Sequence, residues 1–101
     1  MKIIIVDIDG TICTTDSTHD YEKALPRPEQ IKKINKLYEK GNTIIYWTAR
    51  GASSKGVGFW HELTEKQLEE WGCKYDVLKV VGSKPSYDLW IDDKAVRIEE
   101  I

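Results

Sequence analysis

Cysteine is scarce in this chain of 101 residues: it has only Cys13 and Cys73. Neither sits in a CxxC pair or at a metal-ligand spacing, which excludes a disulfide framework and a cysteine-bound metal cluster. Two reduced thiols fit a cytoplasmic setting. Long apolar runs are also missing, so no helical membrane span is expected. Nor does charge of one sign dominate: 15 basic residues face 17 acidic ones, mixed along the chain, for a net charge of −2. That removes the electrostatic ground for binding nucleic acid or an anionic membrane surface. There is no internal repeat, low-complexity tract or linker. The opening residues carry one Lys, then strand formers, then acids, so no signal peptide is expected. The length suits one domain spanning 1–101, large enough to bury a single core.

What is present starts at the third residue. Ile3, Ile4, Ile5 and Val6 form a continuous β-branched run, too short for a helix, which reads as a strand buried on both faces of a parallel sheet. It stops at Asp7-Ile8-Asp9-Gly10-Thr11, two acids one residue apart and then a glycine that permits a sharp turn. In open α/β sheets, ligands bind just beyond the carboxyl ends of the strands. The polar stretch from Ile12 to Pro28 reads as loop. A helix is expected to start near Pro28, with Ile31, Ile34, Leu37 and Tyr38 on one face and Gly41 as its stop. Thr43 to Trp47 predict a second strand, ending in Thr48-Ala49-Arg50. A Gly- and Ser-rich loop over 51–58 precedes a second helix carrying Phe59, Trp60, Leu63, Leu68 and Trp71, stopped by Gly72. Further strands are expected at Asp76–Val81 and Tyr87–Ile91, the last ending in Asp92-Asp93. Residues 95–98 read as a short edge strand or irregular chain. Right-handed strand–helix–strand crossovers make this an α/β fold with a mainly parallel sheet. Three strand ends then converge on one edge, bringing Asp7/Asp9, Thr48/Arg50 and Asp92/Asp93 together.

That convergence permits a defined chemistry. Mg²⁺ takes oxygen ligands and keeps several waters; Asp7, the carbonyl of Asp9 and one of Asp92 or Asp93 supply such oxygens. A phosphate beside the metal has its charge neutralised and its oxygens polarised. One aspartate can then attack phosphorus, forming an aspartyl-phosphate. A second acid two residues on can protonate the leaving oxygen and then activate water. Thr48 offers a hydroxyl and Lys84 a compact positive charge to the phosphoryl group.

These residues resemble the motifs of the haloacid dehalogenase superfamily. IIIVDIDGT is similar to its first motif, TIIYWT to its second, Lys84-Pro85 to its third and LWIDD to its fourth, in that order across the chain. The resemblance implies a Rossmann-like three-layer α/β/α fold. It implies Asp7 as nucleophile and metal ligand, and Asp9 as general acid/base with its carbonyl on Mg²⁺. Thr48 and Lys84 would bind the phosphoryl group, with Gly10, Thr11, Ala49 and Arg50 as further substrate contacts. Asp93 is favoured as the direct ligand, with Asp92 acting through water. An acid at position 9 fits phosphatases and phosphotransferases, because the dehalogenases of the superfamily lack it. The gaps 12–28 and 50–83 leave no room for a cap domain. By analogy an open site suits a large substrate or closure by another subunit, hence a homo-oligomer. YWTAR, EWGCKYD and KPSYDLWIDDKA narrow the resemblance to small bacterial capsule-biosynthesis phosphatases. That group implies a small sugar or polyol phosphate as substrate.

Blander readings stand beside these. Asp7 and Asp9 can act as cap and turn acids, Thr48 as a strand-end hydroxyl and Lys84 as a solvated surface charge. Arg50 reads equally as a structural ion-pair partner. Cys13 is expected to pack more than to line the pocket, His19 and His61 to lie on the surface, and Trp47, Trp60, Trp71 and Trp90 to be mostly core, with Trp60 the one of them placed to edge the site. Loops 14–26 and 51–58 are the candidate lids. The competing functions are a polynucleotide-end phosphatase, a phosphotransferase and a catalytically idle metal-binding module. A receiver-type switch does not fit, since its paired acids end the first strand side by side.

Overall fold

A computed structural model of the chain describes residues 2–14, 21–48, 57–80 and 89–91. Strand β1 (Ile3–Asp7) is followed by a short β2 (Cys13–Thr14), a 3-10 turn (Tyr21–Lys23) and β3 (Leu25–Pro26). Helix α1 (Pro28–Glu39), strand β4 (Thr43–Thr48), helix α2 (Val57–Glu70), β5 (Val77–Val80) and β6 (Leu89–Ile91) complete the order. The main sheet runs β5-β4-β1-β6 and every pairing in it is parallel. This is the expected Rossmann-like α/β architecture, with the apolar β1 run at the sheet's centre.

Burial follows the alternation of side chains along each strand. Ile4, Val6, Ile44 and Tyr46 join one core cluster with Ile31 and Ile34 of α1 and Leu68 of α2. On the alternate positions Ile5 and Ile45 are buried as well, so both faces of the sheet are covered. That is why β1 and β4 read as continuous apolar runs rather than as alternating ones.

Both helices end in the same way. After α1, Gly41 at φ 95° donates its N–H to the Tyr38 carbonyl, and Asn42 donates to Leu37. After α2, Gly72 at φ 73° donates to Glu69, and Cys73 donates to Leu68. These paired bonds form the Schellman motif, which places a glycine in the left-handed region. The Asn35 side chain links the two helices, donating to the Gly72 carbonyl at 2.9 Å and accepting from the Lys74 N–H at 2.8 Å. A Cβ on Gly72 would meet no atom within 4 Å, so replacement carries conformational strain alone. Gly72→Ala is expected to destabilise the fold by about 1 kcal/mol, and Gly72→Asn by less. Urea denaturation of the two variants checks this.

Two expectations shift. The stretch 12–28 is not plain loop: Cys13 pairs with Pro26 and Thr14 with Leu25 in an antiparallel ribbon. A ladder two residues long leaves no alternating pattern in a polar sequence. The third strand begins at Val77 rather than Asp76, because the Asp76 carboxylate takes a ladder position. Its Oδ2 accepts from the Ile44 N–H at 2.8 Å, while its own N–H donates to the Ile44 carbonyl. The expectations for Val81, for Tyr87 and Asp88, for 51–56 and for 95–98 lie outside the described residues.

Cys73 is half-buried and packs against the core cluster that includes Tyr46. Burial pushes its thiol up to about 12, with the nearby Tyr46 hydroxyl opposing that shift. The thiolate is the reactive form, so Cys73 is expected to resist iodoacetamide at pH 8 in the native protein. Both cysteines should alkylate once it is unfolded, which mass spectrometry reads directly.

Candidate active site

Asp7 closes β1 and Asp9 follows two residues later, with Ile8 between them buried in the core. The chain then folds back on itself. The Ile8 carbonyl accepts from the Thr11 and Ile12 N–H groups, and the Gly10 N–H donates to the Cys13 carbonyl. Gly10 sits at φ 84°, a conformation costly for any residue with a Cβ. Thr11 is fully buried inside this turn.

Register delivers the second motif. Asp7 pairs with Trp47 across β1 and β4, so Thr48 stands one residue beyond the nucleophile candidate. It is buried, and its hydroxyl donates to Asp9 Oδ2 at 3.5 Å. From the other side the buried Cys13 thiol donates to Asp9 Oδ1 at 3.5 Å and to the Ile8 carbonyl at 3.6 Å. The Asp9 carboxylate is thereby held between two side chains from different elements. Asp7, Asp9, Gly10, Thr11 and Thr48 are brought together around the carboxyl ends of β1 and β4. Ala49, Arg50, Lys84, Asp92 and Asp93 lie outside the described residues.

The donor chemistry fits Mg²⁺. The Asp7 carboxylate and the Asp9 carbonyl are hard oxygens; among the described residues no group of three His, Cys, Asp or Glu could hold a metal ion on its own. A cation that keeps its waters and takes one or two carboxylates suits such a set.

Two residues near the acids carry more than their sequence context signals. Cys13, expected to pack, packs and also contacts Asp9. Arg27 carries no motif signal beyond its place between two prolines, yet its Nη1 donates to the Gly10 and Thr11 carbonyls, both at 3.1 Å. The described part of the candidate lid 14–26 is tied down. The Tyr21 ring stands edge-on to Trp60 at 5.4 Å, and its carbonyl accepts from Gln67 Nε2 at 2.7 Å. Trp60, read as mostly core, is buried and anchors that segment. Among the described residues no helix is long and apolar enough to cross a membrane.

No protein-family model matches the chain, and no curated protein is significantly similar to it. Solved structures do match. A crystal structure of a target protein from Vibrio cholerae is 32% identical, covering 99% of this chain and 86% of that one, with a TM-score of 0.70. D,D-heptose 1,7-bisphosphate phosphatase from B. bronchiseptica, solved with magnesium and phosphate, is 22% identical over 84% of this chain and 52% of its own, with a TM-score of 0.55. A chain of the Pnkp1/Rnl/Hen1 complex is 18% identical over 83% of this chain, with a TM-score of 0.61; this chain spans only 30% of its length. The last two show a shared fold.

Proposed function

We propose that this chain, which belongs to the same family as the Vibrio cholerae protein and has the haloacid dehalogenase fold, hydrolyses phosphomonoesters with Mg²⁺. The observation that carries the reading is the pair Asp7 and Asp9 at the carboxyl end of the central strand, with the Thr48 hydroxyl on the Asp9 carboxylate at 3.5 Å. The Asp7 carboxylate, the Asp9 carbonyl and Asp93, with Asp92 through water, would hold the metal. When bound, Mg²⁺ neutralises phosphate charge and polarises its oxygens.

The protein's own groups do the rest. A carboxylate oxygen of Asp7 bonds to phosphorus as the bond to the leaving oxygen breaks, giving an aspartyl-phosphate and the free alcohol. Asp9 delivers its proton to that leaving oxygen. Asp9, now a carboxylate, takes a proton from water; the water oxygen bonds to phosphorus, the bond to Asp7 breaks and inorganic phosphate departs. The Thr48 hydroxyl, held on Asp9 in the free protein, turns to a phosphoryl oxygen, and Lys84 balances its charge. Gly10 and Thr11 shape the turn, while Ala49 and Arg50 border the phosphate.

The substrate we propose is a small sugar or polyol phosphate in bacterial surface-polysaccharide (capsule) assembly, acted on in the cytoplasm. The YWTAR and KPSYDLWIDDKA segments support it, and a heptose bisphosphate phosphatase shares the fold. An uncapped site favours closure by a second copy of the chain. A second reading, a polynucleotide-end phosphatase, has the fold match to the RNA repair complex in its favour. A net charge of −2 opposes it.

Phosphate release across sugar, polyol and nucleotide phosphates and 5′- and 3′-phosphorylated oligonucleotides, with Mg²⁺ and with EDTA, tests both readings. Release from sugar or polyol phosphates that EDTA abolishes is the expected result. Release from oligonucleotides alone would install the second reading, and none from any compound would remove the hydrolase.

A further inference from the structure

Three successive carbonyls in the turn after Asp9 have one residue as their common partner. The Gly10 and Thr11 oxygens accept from Arg27 Nη1 at 3.1 Å each, and the Ile12 oxygen accepts from the Arg27 backbone N–H at 2.8 Å. The matching N–H groups of Thr11 and Ile12 point the other way, onto the Ile8 carbonyl. The Gly10–Thr11 and Thr11–Ile12 peptide planes are therefore gripped at both ends, by Ile8 within the turn and by Arg27 from outside. We infer that Arg27 is the positioning residue of the active site, clamping the turn that aims Asp9.

The chain is built to hold this arginine still. Pro26 and Pro28 flank it, and their rings restrict the backbone on either side. Arg27 itself is extended, with φ −109° and ψ 86°, immediately before the first turn of α1. The two terminal hydrogens of Nη1 serve one carbonyl each, and the planar guanidinium is pre-organised for such a fork. Without it, the exposed Gly10 carbonyl turns to water, while the part-buried Thr11 carbonyl loses its partner at a cost greater than the bond itself contributed. The turn between Asp9 and Cys13 would then sample other peptide orientations, carrying the Asp9 carboxylate with it. Displacement on the order of 1 Å at a reacting group costs about 10²-fold in rate.

The inference rests on the hydrolase reading for its catalytic consequence but not for the clamp itself, so the test has two arms. In Arg27→Ala, amide hydrogen exchange at Gly10, Thr11 and Ile12 is expected to quicken by about tenfold or more, with Ile34, Ile44 and Tyr46 unchanged. In steady-state hydrolysis of p-nitrophenyl phosphate, kcat is expected to fall by about 10²-fold with KM within about twofold. Added methylguanidinium should restore part of kcat, entering by the cavity of about 390 Å³ that Arg27, Pro28, Glu29 and Gln30 line. If Arg27→Ala does not fold, Arg27→Gln carries the same readouts, its side chain too short to reach the two carbonyls. Exchange unchanged at the turn, or quickened equally throughout the fold, would overturn the clamp, as would an unchanged kcat. If the wild-type protein hydrolyses nothing, the hydrolase reading falls, and the exchange arm still decides the clamp.

Discussion

Asp7→Asn is expected to lower Mg²⁺-dependent phosphate release by roughly 10⁴-fold or more, the scale on which loss of a covalent nucleophile acts. An amide at this position neither attacks phosphorus nor balances the charge of a bound cation, so both of the residue's roles go at once. The fold should not suffer. Asp7 is the half-buried last residue of β1, and its backbone pairing with Trp47 is kept in the variant. Removing one of two closely spaced acids also relieves like-charge repulsion, so the thermal midpoint should hold or rise. The pairing of lost turnover with kept stability is what identifies a functional acid, since natural active sites give up stability for chemistry. Phosphate release and a thermal melt on the same preparation check it. Residual activity within about tenfold of wild type would place the nucleophile elsewhere.

The strands that bring Asp7, Asp9 and Thr48 together were legible in the sequence. Ile3 to Val6 and Thr43 to Trp47 announce buried parallel strands because both faces of the sheet are covered, so no polar position interrupts them. Chain order and right-handed crossovers then bring the ends of those strands to one edge, and the register Asp7↔Trp47 puts Thr48 beside the acids as expected. The helix stops were legible too, since Gly41 and Gly72 occupy left-handed positions that other residues adopt at a cost. What could not be read belongs to tertiary contacts that leave no periodicity. Arg27 lies 17 positions from the Gly10 carbonyl it bonds, in a stretch where proline and polar residues signal only loop. Asp76 reads as an ordinary strand-end acid, yet its side chain substitutes for a ladder carbonyl. Cys13 is a small apolar residue by every local criterion, and only the turn geometry brings its sulfur to Asp9. Side chains that bond backbone groups far along the chain are specified by the fold and leave no local pattern in the sequence.

The sharpest discrimination among phosphoryl-transfer roles comes from Asp9→Asn read with two leaving groups. An alkoxide leaving from a sugar phosphate needs a proton as the bond breaks, and asparagine has none to give, so turnover should fall by about 10²–10⁴-fold. A nitrophenolate is stable without a proton, so the first step with p-nitrophenyl phosphate should survive far better. The second step has no such escape, because the water that attacks the aspartyl-phosphate must lose a proton to residue 9 whichever alcohol has departed. The variant should therefore release about one nitrophenolate per enzyme in a fast burst and then stall with phosphate on Asp7. Asparagine keeps the size of the side chain and an oxygen for the Thr48 hydroxyl or the Cys13 thiol that now flank the carboxylate, so misplacement is not the cause. Stopped-flow absorbance measures the burst, and intact mass spectrometry weighs the trapped phosphoenzyme. Equal losses for both substrates with no burst would take Asp9 out of proton transfer and leave it as a metal and turn residue. A burst with a mass gain that Asp7→Asn abolishes would place nucleophile and acid two residues apart on the end of one strand.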